Sequence, residues 1–328
     1  MASTTSQTAS AAQAGPAAAS SSMVLLAFAG VYILWGSTYF FIRMGVETIP
    51  PFIMAGIRHL AIGLVFYPLF RRLTREKPTA AQWRTTAITG LLLLLCGNGG
   101  VSWAETRVPS GIAALLVASV SLWMVIVDWL RPGGVRPTPR VLVGFFIGFA
   151  GIALLVGPAN LGGARVSTFG AVTLLLASLA WATGSIYSRH HAIPHSPMLG
   201  VAMQSLAGGA GLWLAALLNG EARAFHPAAV SLRSWLAVLY LIIFGSALGF
   251  SAYVYILKHS SASRVATYAF VNPVVALLLG WSFGGEPLSL RTLLASGTIL
   301  AAVLLVITAP HRPAVPKDEE VVPVCSES

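Results

Sequence analysis

A polytopic bundle of ten membrane-spanning α-helices, built as two inverted five-helix repeats, is the fold class this sequence predicts. Three observations predict it. Only 9% of the 328 residues are charged and 56% are apolar, with a mean hydropathy of +0.79. An ordinary soluble protein is about 25% charged and covers its core with polar surface. The apolar runs are continuous, as in Leu91 to Leu95, and do not show the period-two alternation of a membrane β-barrel. Ten such runs, each close to the roughly 20 residues that cross a bilayer, fit between a polar start and a polar tail.

Residues 1–22 hold no charged side chain. They lack the basic start of a secretory signal and read as a disordered cytoplasmic extension. The first span, 23–43, carries Trp35, Ser37 and Tyr39 and ends at Arg43. The second, 52–70, follows Pro50-Pro51 and holds Arg58 and His59. The third, 85–104, contains Gly97-Asn98-Gly99-Gly100 and closes on Trp103, with Glu105 next. A tight turn from Thr106 to Pro109 leads into the fourth, 110–130, with Asp128 near its end.

The fifth span, 140–157, contains Gly144 and Gly148 at helix-packing spacing. That pair serves packing within the chain or a homodimer. The sixth, 168–188, holds Trp181 and Ser185. The seventh, 198–218, is the weakest because of Gly208, Gly209 and Gly211. The eighth, 235–257, has Gly245-Ser246-Ala247, Gly249, Tyr253 and Tyr255. The ninth, 264–283, has Tyr268, Phe270 and Asn272-Pro273. The tenth spans 291–309, and 310–328 is a polar cytoplasmic tail.

Charge sets the orientation. With the N-terminus inside, the inner connections carry thirteen Lys and Arg, including Arg71, Arg72, Arg75 and Lys77, against six outside. That bias places both termini in the cytoplasm. It also explains the net charge of +10 without nucleic acid, since no basic run exceeds the 71–77 loop. The partners expected are the lipid bilayer and a small-molecule substrate, and nucleic acid is excluded.

The halves resemble each other. Trp35 precedes Arg43 by the same interval as Trp181 precedes Arg189. Further on, Gly97 falls on Gly249, Trp103 on Tyr255 and Trp129 on Trp281. Five spans per half is an odd number, so the second half (168–309) enters from the opposite face to the first (23–157). Inverted repeats of this kind build secondary transporters.

Weak helix at matching positions of two halves points to a midplane site. Asn98 with its glycines in the third span, the Gly-Ser-Ala run in the eighth, and Asn272-Pro273 in the ninth fit that pattern. Pro273 frees a carbonyl near Ala269. Close packing through small residues and a simple kink explain the same pattern. Trp35, Ser37, Tyr39, Trp103, Trp181, Ser185, Tyr253, Tyr255 and Tyr268 supply the apolar walls and few polar groups of a pocket for an organic solute; interfacial anchoring is the competing role.

Arg58 in a span faces an anionic group or bonds to backbone carbonyls. His59 reads as a satisfied polar residue of the bundle. Glu105 is either an interfacial partner of Arg107 or the protonatable residue of a gate, which makes a proton the candidate coupling ion. There is no Walker A loop, HExxH, GxSxG or CxxC, and only Asp128 and Asp318 among aspartates. ATP-driven, zinc, serine and aspartyl chemistries therefore lack their residues, and no cofactor or metal is expected. Cys96 and Cys325 lie in different environments and do not pair.

Taken together, Trp35-Gly36-Ser37-Thr38-Tyr39, Ala55-Gly56-Ile57-Arg58, Gly97-Asn98-Gly99, Ala104-Glu105 and Val108-Pro109-Ser110-Gly111-Ile112-Ala113-Ala114 resemble the EamA family of the drug/metabolite transporter superfamily. Val271-Asn272-Pro273 and Gly284-Gly285-Glu286-Pro287-Leu288-Ser289 carry the likeness into the second half. Within the family the chain is most similar to the YedA-like inner-membrane exporters. The resemblance implies ten helices around a central cavity lined by helices 1, 3, 4, 6, 8 and 9, and ATP-independent export of amino acids, metabolites or drugs. Two departures stand out. Ser121 occupies a position where the family has Pro, and Arg131-Pro132-Gly133-Gly134 stands where a counterpart of Glu286 belongs. The reading is an exporter working by alternating access in a bacterial inner membrane. A passive channel and an intramembrane enzyme are the rival classes.

Overall fold

The computed structural model describes residues 21–134, 136–156, 166–260, 262–265 and 267–308. The N-terminal extension up to residue 20 and the C-terminal tail lie outside the described residues. Among those described, every regular element is helical, and nine helices are long and apolar enough to cross a membrane.

They are α1 (Ser21–Gly45), α2 (Pro51–Thr74), α3 (Ala80–Ala104), α4 (Ser110–Leu130), α5 (Pro139–Val156), α6 (Thr168–Arg189), α7 (Pro197–Leu218), α8 (Leu232–Ile256) and α10 (Leu290–Ile307). The ninth crossing, α9, is the shorter apolar helix Tyr268–Gly284. At 1.5 Å per residue its 17 residues reach about 25 Å, less than the roughly 30 Å hydrocarbon core. The one-turn helix Ala262–Val265 precedes it. The expected start at 264 therefore becomes a short helix and a second start at Tyr268. The seventh span is not the weak one: α7 runs unbroken for 22 residues. Its glycines admit neighbours, Leu60 of α2 at Gly209 and Leu94 of α3 at Gly208.

The expected broken helices take other forms. Both α3 and α8 continue through their small-residue runs and widen into π-helical turns, at Leu91–Gly99 and Leu241–Leu248. π turns inside helices are uncommon and cluster at functional positions. The two lie at matching places in the halves. α9 runs straight through Pro273. The break that a proline would make falls instead in α4, between Val117 and Val120. No proline is there. Ser119 and Ser121 hydroxyls donate back to the carbonyls of Leu116 (2.6 Å) and Ala118 (2.9 Å), drawing the turn tight. Such back-bonding bends helices.

Reciprocal contacts join the halves. Glu221, after α7, accepts the backbone N–H groups of Phe52 and Ile53 at the start of α2. Glu76, after α2, accepts those of His195 and Ser196 at the start of α7. Each carboxylate thus caps the helix that its repeat twin follows, where orphan donors and the dipole favour an anion. The α5–α10 pair is clasped at the opposite ends. Arg291 of α10 donates to Leu154 and Leu155 carbonyls at the end of α5 (2.6 and 3.0 Å). Arg140 of α5 donates to Thr308 Oγ1 at the end of α10 (2.8 Å). Between these helices, Gly144 and Gly148 meet Val306, Ala302 and Leu122, so the glycine pair is occupied within the chain.

A third exchange is made by indoles. Trp35 of α1 lies over Gly249 of α8, and Trp181 of α6 lies over Gly97 of α3. A Cβ at Gly249 would stand 2.5 Å from Trp35 Nε1, and one at Gly97 2.9 Å from Trp181 Cε3. Leu64, Phe146, Leu218 and Phe283 are exposed and form the lipid-facing surface expected of a spanning bundle.

Gly249→Ala and Gly97→Ala should each lower stability by about 1–3 kcal/mol through overpacking. Gly297→Ala, where a Cβ meets nothing within 4 Å, should be neutral or stabilising. Thermal unfolding of the purified variants in detergent checks this ranking.

Candidate functional site

Three groups of buried or half-buried side chains stand out. The first is an aromatic cluster between α1, α8 and α9. Trp35 packs against Tyr253, Tyr268 and Phe250, with ring centroids 4.8, 5.4 and 5.6 Å apart. Its Nε1–H donates to the Gly245 carbonyl (3.1 Å), in the π-helical turn of α8. Pro273 and Asn272 are buried on α9, and Asn272 Oδ1 has no hydrogen-bond partner. The structure thus brings Trp35, Tyr253 and Tyr268 together, with the Asn272 main-chain carbonyl of α9 beside Gly36 of α1 and Pro273 next in sequence.

The remaining candidates are spread. Tyr255 stacks on His259 and leaves the cluster. Trp103 sits in the α3–α4 turn region with Arg107 over its ring (4.0 Å) and Phe169 at its edge, an interfacial setting. Trp181 is engaged with Gly97. Asn98 and Ser185 are half-buried on α3 and α6. Ser37 is buried and hydrogen-bonds Tyr240 Oη (2.8 Å), while Tyr39, two residues on and on another face of α1, is half-buried. Phe250 and Tyr240 are site residues the sequence reading missed. Nothing in their local pattern marks them, since only the packing of α8 on α1 sets their direction.

The second group centres on Arg58. It is 6% exposed, its Nε donates to Ser246 Oγ (2.9 Å), and no carboxylate among the described residues pairs with it. His59 beside it is also buried, with neither ring nitrogen bonded. The expectation of a satisfied histidine does not hold. Two polar groups without full partners in the bundle are costly, and they sit against the π-helical turn of α8.

The third group lies at the end of the bundle away from the chain termini, here called the distal end. Gly285, at φ 64°, ends α9 in the left-handed conformation that suits glycine. The turn sends Glu286 back toward α4. Its Oε1 accepts from Ser110 N (2.6 Å) and Ser110 Oγ (2.7 Å), and its Oε2 from Gly111 N (3.0 Å). A Cβ at Gly280 would overlap this carboxylate, so glycine there makes the space. Glu286 thus pins the end of α9 onto the start of α4. Sequence reading had Glu286 only as part of a motif; its partners 175 and 176 residues away leave no local signal.

Glu105 adjoins this pin. It is fully buried, and neither carboxyl oxygen finds a partner. The pairing with Arg107 does not form. Arg107 turns to Trp103 and Thr106, and Arg43 of α1 bonds the main-chain carbonyl of Glu105. Burial, and after it the charge of Glu286, pushes the Glu105 carboxyl well above the usual carboxylate range, with Arg43 opposing.

The two ends of the α4–α9 pair differ. α9 packs closely on Ser110–Val117, the distal segment of α4. The other segment, Val120–Leu130, packs on α6 and α10 instead. There Leu122 is its one buried residue, and Asp128 pairs with Arg131 of its own chain end (2.6 Å). α9 thus meets α4 along its distal segment, where Glu286 holds the two together, while the other segment of α4 follows different neighbours.

Comparison with known proteins agrees with this architecture. The model of the EamA-like transporter family matches residues 21–157 and again 168–308. The uncharacterized inner membrane transporter YedA of Escherichia coli K12 is 43% identical over 277 residues, 84% of this chain and 88% of that protein. YvbV of Bacillus subtilis, another transporter by name, is 28% identical and aligns over 87% of this chain and 89% of its own. A protein of E. coli named "Probable amino-acid metabolite efflux pump" is 24% identical over 75% of this chain and 82% of its own. A solved crystal structure shares the fold with a TM-score of 0.56 at 22% identity, covering 87% of this chain and 96% of that one. With two family matches that fill both halves and a relative at 43% identity, the chain belongs to the EamA-like transporter family and is a multi-pass transporter of the inner membrane.

Proposed function

We propose that the chain exports a small organic solute, an amino acid, related metabolite or drug, by alternating access and without ATP. The observation that carries the reading is the one-sided contact of α4 and α9, held at the distal end by Glu286. A bundle sealed at one end and parted at the other is one of the two states such a cycle needs. Inverted repeats supply the second state, because the halves can exchange conformations. The amino-acid efflux named for one relative supports the solute class.

Orientation follows from charge. Lys and Arg crowd the loops at the terminal end, as in Arg71, Arg72, Arg75 and Lys77, which assigns that end to the cytoplasm. On this reading the arrangement of α4 and α9 corresponds to an inward-facing state. The solute would enter from the cytoplasm and meet Trp35, Tyr253, Tyr268 and Asn272 at the floor of the opening. The unpartnered Asn272 oxygen offers an acceptor to an amine or amide, and the rings offer apolar faces.

Two experiments test this. A reporter fused after residue 309 should read as cytoplasmic, and one inserted between Arg223 and Arg233 as external; a C-terminal reporter outside would overturn the ten-crossing orientation. For transport, amino acids, amines and drugs are screened in cells overexpressing the chain, and those exported are assayed by counterflow in liposomes. Saturable counterflow without ATP is expected, while a linear, unsaturable flux would indicate a channel. Tyr268→Ala should raise the half-saturating concentration about tenfold, the equivalent of losing roughly 1.4 kcal/mol of aromatic contact. Trp103→Phe, distant from the cluster, should leave it unchanged.

A further inference from the structure

Glu105 is the fully buried carboxyl group of the distal end, and it has no hydrogen-bond partner on either oxygen. A charged carboxylate held that way is strongly disfavoured. The groups that face it explain why it is left without a cation. From α1 come Arg43, which is engaged with the Glu105 carbonyl, and Tyr39. From the α9–α10 turn comes Glu286, a second carboxylate, committed to Ser110 and Gly111. In its own turn, Arg107 is drawn to Trp103.

We propose that Glu105 is a proton-binding site of the distal gate, which holds a proton while α4 and α9 are sealed and releases it to the external medium when they part. The proposal deepens the alternating-access reading and rests on it. Parting α9 from α4 lifts Glu286 away and lets water reach Glu105, so both causes that favour the neutral acid vanish together. The ligand is a proton from outside. Among the described residues the other end shows no such device: at the matching place stand Arg131-Pro132-Gly133-Gly134, and the nearby Asp128 is paired with Arg131.

The direction of the pH effect follows. In the sealed state the proton affinity of Glu105 is raised by burial and by Glu286; in a hydrated, open state it would return toward that of an ordinary carboxyl. Its support of the sealed state is therefore complete below the ordinary carboxylate pKa of about 4.3 and is lost as pH rises through the raised value. External acid favours sealing and external alkali favours opening. Each unit by which the two affinities differ can change the gate equilibrium about tenfold.

The test uses the full chain in intact cells, with Cys96 and Cys325 replaced by Ala. A single cysteine is placed at Ala114, which is 1% exposed and lies one helical turn from Gly111 on the face of α4 that meets α9. Its rate of labelling by a membrane-impermeant maleimide is divided by that of a cysteine at the exposed Ala228, which removes the pH dependence of the thiol. Between external pH 5 and 8, as a range of about three units, the ratio should rise about tenfold or more. Glu105→Gln, which mimics the neutral acid, should hold the ratio low and flat. Glu286→Gln should raise the ratio at every pH and keep its dependence. An unchanged pH response in Glu105→Gln, or a response lost only in Glu286→Gln, overturns the proposal. A ratio that stays at background at every pH, in both variants as well, overturns alternating access together with it.

Discussion

Helix ends are the constraint on which this structure rests. Within or near a bilayer, the four free N–H groups and four free carbonyls of each helix find little water. The chain satisfies several of them with side chains sent across from the other repeat. Glu221 and Glu76 cap the starts of α2 and α7 for each other, and Arg291 bonds carbonyls at the end of α5, while Arg140 ties α5 to α10 through the Thr308 hydroxyl. The exchange ties α2 to α7 and α5 to α10 at both ends of each pair. These four helices form a frame that leaves α1, α3, α4, α6, α8 and α9 to shape the interior.

Against that frame the α4–α9 pair is the exception. It has a cap at the distal end, from Glu286, and among the described residues no side-chain cap at the start of α9. A pair held at one end can part at the other, and the break of α4 at Ser119 and Ser121 lets its two segments follow different neighbours. The π-helical turns of α3 and α8 fall where the exchanged indoles cross, at Gly97 and Gly249. They are adjustable parts of otherwise continuous helices. The aromatic cluster around Trp35 joins three of the interior helices, α1, α8 and α9, so in the proposed cycle a solute bound there would sense their arrangement.

The number and order of crossings were legible in the sequence because hydrophobic length is a direct physical requirement of the bilayer. The pairing of Trp35 with Trp181 and of Gly97 with Gly249 was legible as repetition, although the crossed contacts between them were not: each indole meets the glycine of the other half, a matter of helix packing at a distance. Sequence reading placed a break at Pro273, where α9 is continuous, because a proline in a helix is a stronger local signal than serine hydroxyls bonding back in α4. Ser119 and Ser121 fold tightly without any residue that forbids a helix. The weak seventh span was a misreading of glycine, which in a bilayer serves close approach as much as flexibility. Arg107 was an apparent partner for Glu105 by proximity in sequence, but the Trp103 ring competes for it, and Arg43 from α1 arrives instead.

The central claim is that a clasped α2–α7 frame stays fixed while α4 and α9 exchange the end at which they meet. Spin-label distances measure this most directly. One pair is placed at Arg107 and Pro287 across the distal end, one at Leu130 and Arg264 across the other, and one at Leu73 and Ile193 on the frame. All six positions are exposed. The account predicts two populations, in which the first distance lengthens as the second shortens, while the third keeps a single narrow distribution. A frame distance that changes in step with the other two, or single unchanging distances at both ends of α4 and α9, would contradict it.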